Sequence, residues 1–208
     1  MISASFITAD IVNSTLLTDS EMAVLREELE KLLNSYGCMY EFFRYDSFQV
    51  LHREPINSLK LIMLLRSQVR KFNERGIDIR TSLTLGEVKA PIQSLAFSND
   101  EVFIMSGRHF DEMSDTGSRL SITLAGQTTN ICQPGFTAIA LFTDYLLCRT
   151  TSKQAQVLNE LVQGLSQADI TRKLGKTPST IHKHVKAIGW NEIEQLLNIF
   201  QTMIMNCK

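Results

Sequence analysis

Residues 6–15 read Phe-Ile-Thr-Ala-Asp-Ile-Val-Asn-Ser-Thr, an apolar run that ends in one acid and a group of small polar residues. The run predicts a buried strand that carries Asp10 to a loop. An unpaired carboxylate is costly inside a fold, so an acid at the end of a core strand usually meets a cation, backbone N–H groups or solvent. Asp10 is therefore the first candidate for a binding role.

A second acid, Asp46, lies between two short runs, residues 38–44 and 47–52, that read as the strands of a hairpin. If the second run pairs beside the first strand, Asp10 and Asp46 lie close together, and two carboxylates suit a hard cation such as Mg²⁺ or Mn²⁺. Alternatively, the two acids cap turns without any ligand. In that interpretation Arg44 neutralises Asp46 and the site holds no metal.

The periodicity along the first 85 residues predicts the order βαββαβ. Thr18 and Glu21 have capping-box spacing before a helical pattern, Pro55 opens a second helix, and residues 77–85 alternate as a half-buried strand. This order is that of the ferredoxin-like unit, a four-stranded antiparallel sheet with both helices on one face. Additional elements are predicted at about residues 100–113, 119–124 and 136–148. The fold class is therefore α+β.

The composition limits the classes of protein. The 208 residues are 44% hydrophobic and 21% charged, with a net charge of −1, which suits one large or two small soluble domains. The apolar runs are too short for a membrane span and the N-terminus does not resemble a signal peptide, so a cytoplasmic location is expected. The four cysteines have no metal-ligand spacing and are expected to be reduced core or bystander residues in the cytosol.

A shift in composition near residue 150 divides the chain into predicted domains 1–149 and 150–208, the first including the connecting helix 136–148. The second part carries seven basic and four acidic residues, which favours a polyanionic partner. Ser166 begins a short helix, Gly175 makes a turn, and Thr177 with Pro178 begins a second helix. These signals predict a helix-turn-helix.

The second of these helices is predicted to present a polar, basic face at the position where a helix-turn-helix meets DNA. The predicted DNA-binding residues are Lys176, Ser179, Thr180, His182, Lys183 and Lys186. The three-helix fold that contains a helix-turn-helix also serves as a protein-interaction module. Protein interaction is therefore the alternative to DNA binding for this part of the chain. The last helix, residues 191–206, carries a wide apolar stripe that is expected to pack across a dimer or against the larger domain.

Four stretches resemble, in the right order, the landmark motifs of class III nucleotidyl cyclases. They are residues 10–15, 45–48, 80–88 and 102–108. The resemblance implies that Asp10 and Asp46 hold metal ions over a nucleotide and that Arg108 stabilises the transition state from a partner subunit. It also places Asn13, Ser14 and Thr15 in a nucleotide or anion site. In the alternative interpretation, Arg108 is a solvent-exposed helix residue that pairs with Asp111 or Glu112.

The chain departs from the cyclase motifs at three positions. Tyr45 stands where the family has glycine, Ile104 where it has the transition-state asparagine, and Phe42 where it has the base-selecting lysine. Losing one transition-state donor typically costs on the order of a hundredfold in rate. Efficient cyclase catalysis is therefore not expected.

Residues 151–186 resemble the helix-turn-helix of LuxR and sigma-factor type, and the whole chain resembles the SatD-type proteins of bacteria, which join a degenerate cyclase-like domain to such a motif. The resemblance implies a DNA-binding transcriptional regulator, dimeric, with a cyclase-like dimerisation or sensor domain. The alternative is a metal-dependent nucleotide-processing enzyme whose tail only localises it.

Overall fold

The computed structural model describes residues 2–207 except 73–74, 90–91, 93, 96–97, 99 and 127–130. The described part is a mixed α+β fold with one five-stranded sheet, which confirms the predicted class. The strands are β1 (Ala4–Val12), β2 (Met39–Phe43), β3 (Ser47–His52), β4 (Asp78–Gly86) and β5 (Leu120–Leu124). The helices are α1 (Asp19–Ser35), α2 (Ser58–Arg70), α3 (Glu101–Thr116), α4 (Gln133–Leu147), α5 (Ser152–Val162), α6 (Gln167–Leu174), α7 (Pro178–Ile188) and α8 (Trp190–Asn206).

The sheet order is β2-β3-β1-β4-β5, with β1 in the centre. β1 pairs antiparallel with β3 and with β4, β2 pairs antiparallel with β3, and β5 is parallel to β4. The apolar stretch that opens the chain is therefore flanked by strands on both sides. Helices cover both faces of the sheet at this strand, and residues 4–9 are therefore all buried.

One face of the sheet is covered by α1 and α2. Ile7, Ala9 and Ile11 of β1 belong to a single apolar cluster with buried residues of both helices. The predicted capping box is present, because the Thr18 side chain accepts from the Glu21 amide while the Glu21 side chain accepts from the Thr18 amide. These helices occupy the face that the βαββαβ order predicts for them.

The opposite face is covered by α3, which corrects the prediction of a half-buried β4. Phe6 of β1 packs on Phe103 of α3 with ring centroids 4.4 Å apart. The hydroxyl groups of Thr8 and Ser106 are 2.9 Å apart. Ser82 is fully buried although it lies on the polar side of the alternating pattern. An alternating pattern indicates a solvent-facing side only when nothing packs on that side.

A buried ion-pair network joins α2, β4 and α4. Asp78 accepts hydrogen bonds from Arg66 at 3.0 and 2.9 Å and from Arg70 at 2.6 Å, and Arg66 also donates to Asp144 at 2.6 Å. Arg70 additionally donates to the carbonyl oxygens of Cys148 and Thr150. The segment at the predicted domain boundary is thus held against the sheet.

The last four helices pack onto the same core. Asn159 of α5 donates to the Ser67 hydroxyl at 2.9 Å and to the Leu64 carbonyl at 3.4 Å, both on α2. The rings of Phe200 of α8 and Phe136 of α4 pack edge to face, with centroids 5.6 Å apart. The apolar stripe of the last helix therefore packs against the larger part of the chain, one of the two arrangements that its width predicts.

Cys132, just before α4, forms a disulfide with Cys207, just after α8. The prediction that all four cysteines are unpaired is therefore wrong for these two, because α8 runs antiparallel to α4 and brings distant positions together. At the outer edge of β5, the Gln133 side chain accepts from the Leu124 amide and donates to the Ile122 carbonyl, each at 2.9 Å. Within the described residues, no helix combines the length and apolar character that a membrane span requires.

Candidate functional site

The two aspartates lie at the same end of the sheet on neighbouring strands. Asp10 is the register partner of Ser47, the residue that follows Asp46, and the Ile11 amide donates to the Asp46 carbonyl at 3.0 Å. The pairing of β1 with β3 produces this placement, as the sequence predicts. Whether the two carboxylates hold one metal ion remains a prediction.

Arg80 forms an ion pair with the Asp10 carboxylate. It lies directly opposite Asp10 on β4 and donates to it twice, at 3.2 and 2.7 Å. Its guanidinium also stacks on the Phe110 ring of α3, 4.4 Å from the centroid. A fixed cation at this distance competes with a divalent ion for the same oxygens.

The Asp46 carboxylate is satisfied by hydroxyl groups. Ser14 donates to one of its oxygens at 2.5 Å and Ser47 to the other at 3.2 Å. Arg44, the expected neutralising cation, is exposed and forms no ion pair in the described part of the chain. It lies in the hairpin turn with a positive φ of 60°, which turns its backbone away from the extended path of the strand.

The loop after β1 is closed by its own side chains. Asn13 has a left-handed φ of 60° and donates from its amide to the Gly76 carbonyl at 2.9 Å. Ser14 is buried and bonded to Asp46, whereas Thr15 is exposed. Of the three residues that the cyclase resemblance assigns to a nucleotide or anion, two are therefore engaged in bonds that hold the loop shut.

Arg108 lies on α3 and is exposed, while Ser106 of the same helix turns toward the sheet. Ile104, at the position of the family's asparagine, is 45% exposed and offers no hydrogen bond from its side chain. Among the described residues, no group of three or more His, Cys, Asp or Glu side chains is arranged to hold a metal ion. Asp10 and Asp46 would therefore need ligands from water or nucleotide to complete a site.

The helices α6 and α7 are joined by the three-residue turn 175–177. The Ser166 hydroxyl accepts from the Asp169 amide, and the Thr177 hydroxyl accepts from the Thr180 amide, so both helices begin with a side-chain cap. Gly175 has a φ of 60°, a conformation that favours glycine and ends α6. Ile170, Ile181 and Val185 are buried between the helices.

The residues predicted to contact DNA lie on the outer surface of this helix pair. Five of the six are exposed and Thr180 is partly exposed; the exposed ones are Lys176, Ser179, His182, Lys183 and Lys186. The cations of α6 are neutralised, since Arg172 pairs with Asp169 and Lys173 pairs with Glu160. The hydrogen bonds from Ser166 and Arg172 lower the pKa of Asp169. By contrast, the three lysines at and after the turn form no ion pair in the described part of the chain.

Sequence reasoning missed the cation that meets Asp10. Arg80 alternates with Ile79 and Thr81 along β4, and the antiparallel register of β1 with β4 places it opposite Asp10. The sequence signal that could have indicated this pair is one acid on a central strand and one base on a neighbouring strand. It requires the strand register, which periodicity does not supply.

Comparison with known proteins finds one distant structural neighbour. No protein-family model and no curated protein matches the chain. Among solved structures, the active GGEEF domain of a diguanylate cyclase from Vibrio cholerae is similar, with a TM-score of 0.43 and 13% sequence identity. The match covers 60% of this chain and 83% of that one. A likeness at this level carries no inference about activity.

Proposed function

We propose that the chain is a DNA-binding transcriptional regulator of SatD type, in which α6 and α7 form the helix-turn-helix. The observation that carries the proposal is the outer face of α7 and of the turn before it. This face presents three lysines without ion-pair partners together with short polar side chains at the start of the helix.

Unpaired cations on one face suit a polyanion better than they suit a protein partner. Phosphates release condensed counterions when lysines approach, so such a face gains affinity for any nucleic acid at low salt. The short side chains near the helix start have the reach for base edges in the major groove. The neighbouring cations of α6 already have internal partners, which leaves the lysines of α7 to meet the phosphates.

The test of this proposal is fluorescence anisotropy across a salt series. Lys183→Ala and Lys186→Ala are each expected to weaken binding to every duplex and to reduce the salt slope by about one counterion. Lys31→Ala is the matched control, because Lys31 is an exposed lysine of α1 that pairs with Glu27. If the native protein shows no salt-dependent binding to DNA at low ionic strength, the part of the chain that contains α6 and α7 is a protein-interaction module instead.

Sequence preference is expected to depend on other side chains. Substitution of Ser179, Thr180 or His182 by alanine should change the ranking of duplexes while leaving the salt slope intact, because these groups sense bases rather than charge. A uniform loss across all duplexes, with a changed slope, would assign them to phosphate contact.

The proposed role of residues 1–149 is that of a cyclase-like dimerisation or sensor domain. In this role Arg80 releases Asp10, so that Asp10 and Asp46 hold Mg²⁺ or Mn²⁺ with a nucleotide. The loop opens at its Asn13 and Ser14 hydrogen bonds, and Asn13, Ser14 and Thr15 then contact an anion together with Arg108. A regulator that reads paired half-sites is expected to be a homodimer. A monomer in light scattering at tens of micromolar, with and without DNA, would contradict the dimer.

The second candidate is a metal-dependent nucleotide-processing enzyme, which the shared sheet end of Asp10 and Asp46 favours. Incubation with ATP or GTP and Mn²⁺, followed by chromatography of the products, separates the two candidates. Cyclic nucleotide formed at an enzyme-like rate, and abolished in Asp10→Ala, would replace the regulator as the primary function. The expected result is no such product, because Arg80 occupies Asp10 and Ile104 offers no donor.

A further inference from the structure

Two cysteines at opposite ends of the C-terminal helices are joined in the structure. Cys132 is the N-cap of α4 and Cys207 the C-cap of α8, with their Cα atoms 6.5 Å apart and a sequence separation of 75. This Cα separation lies within the range that disulfides span. The bond encloses α4 to α8, and with them the whole proposed helix-turn-helix.

The paired cysteines differ from the unpaired ones in their surroundings. Cys132 and Cys207 are both half-buried, at the ends of their helices and against the apolar core. Cys38 lies in the body, where burial raises the pKa of its thiol to about 12, and Cys148 is exposed at the far end of α4. The two unpaired thiols therefore serve as internal standards for any chemistry at the pair.

The bond fastens the end of a helix that continues directly from α7. Gly189 is at once the C-cap of α7 and the N-cap of α8, with a φ of 74°, so no linker separates the two helices. α8 lies on the body through Phe200 against Phe136, close to the disulfide. Because no linker separates them, a shift of α8 is passed directly to the C-terminal end of α7, which also packs on α5 and α6.

We propose that Cys132 and Cys207 are a reversible thiol–disulfide site that latches α8 to α4 and so fixes the presentation of α7. In the cytoplasmic location expected from the sequence, a cysteine pair is typically transient and redox-sensing rather than structural. The effect on α7 rests on the proposed DNA binding, whereas the latch itself does not.

The chemistry is exchange with a low-molecular-weight disulfide such as oxidised glutathione. One cysteine thiolate attacks that disulfide, forms a mixed disulfide and releases one glutathione thiolate. The second cysteine then attacks the mixed disulfide, forms the Cys132–Cys207 bond and releases the other. Two electrons pass from the protein to the oxidant, and the two thiol protons end on the released glutathiones. A dithiol reductant reverses both steps.

Thiol counting tests the site without reference to DNA. The full-length protein, equilibrated with oxidised glutathione and then unfolded in the presence of maleimide, is expected to show Cys132 and Cys207 joined to each other and unlabelled, with Cys38 and Cys148 carrying maleimide or glutathione. After dithiothreitol all four cysteines should carry maleimide. Four labels in both states, or labels on Cys132 and Cys207 in the oxidised sample, would overturn the proposal.

The latch predicts a stability difference and a binding difference. The oxidised protein is expected to melt about 10 °C above the reduced one, as a cross-link over a loop of this length implies. Reduction is expected to weaken DNA binding by about fivefold or more. Under oxidising and under reducing conditions alike, Cys132→Ser should have the melting temperature and DNA affinity of the reduced native protein. Cys148→Ser should keep the difference between the two conditions.

The outcomes separate the two proposals. A disulfide that forms without raising the melting temperature would remove the latch. A melting shift with DNA affinity equal in both states would remove the coupling to α7. If no DNA binds in either state, the regulator proposal fails, and the thiol counts and the melting shift still decide the latch.

Discussion

Replacing Asp78 by asparagine is expected to destabilise the protein more than any exposed charge change. Asp78 is 6% exposed and accepts three hydrogen bonds from Arg66 and Arg70, which are 1% and 4% exposed. Asparagine keeps the shape and one acceptor oxygen but removes the charge. Two guanidinium groups then remain in the core without the carboxylate that they share.

The magnitude follows from the partners that remain. Breaking a buried ion pair by removing one member typically costs about 3–5 kcal/mol. Arg66 retains Asp144 at 2.6 Å, and Arg70 retains the carbonyl oxygens of Cys148 and Thr150. We therefore expect the lower end, about 3 kcal/mol, or a fall in melting temperature of about 10 °C for a chain of this size.

The assay is urea denaturation followed by circular dichroism, with calorimetry as the second probe. Asp169→Asn is the control, because Asp169 pairs with Arg172 at the surface and its loss should not shift the urea midpoint resolvably. If Asp78→Asn lies within about 1 kcal/mol of the native protein, the network is not the anchor between α2, β4 and α4, and the reasoning is refuted.

Three other variants test separate parts of the structure. Burial lowers the pKa of His52, so as the pH falls below about 6.5 the unfolded chain gains a proton that the folded chain does not. The free energy of unfolding then falls by up to about 1.4 kcal/mol per pH unit until the pKa of the folded state is reached. His52→Phe should remove this pH dependence from the urea midpoints at pH 7.5 and 5.5, and an unchanged dependence would contradict the prediction. Asn159→Ala should cost about 1–2 kcal/mol, since its amide links α5 to Ser67 of α2, and a midpoint equal to that of the native protein would show that the link contributes nothing. Arg80→Met should raise Mn²⁺ affinity in titration calorimetry about tenfold by freeing Asp10, and no gain would speak against a metal at the aspartates.

The parts of the fold that local signals encode could be predicted from the sequence. The capping box at Thr18 and the caps at Ser166 and Thr177 are each local, and each is present in the structure. The placement of Asp10 and Asp46 at one sheet end also follows from the order of elements alone.

The features that the sequence did not reveal depend on contacts between distant elements. The alternation of β4 indicates one solvent-facing side, yet α3 packs there and buries Ser82. Arg80 meets Asp10 only because of the register between two strands. Cys132 and Cys207 meet only because α8 folds back along α4. Each of these requires the tertiary arrangement, which periodicity within one element does not contain.

The Gln133 side chain bears on how the protein behaves at high concentration. An exposed strand at the border of a sheet invites a neighbouring molecule to add its own strand, which is a common route to aggregation. The Gln133 amide takes the hydrogen-bonding positions at Ile122 and Leu124 that an incoming strand would use. One side chain thus acts as a short sixth strand and protects this border against uncontrolled growth of the sheet from molecule to molecule.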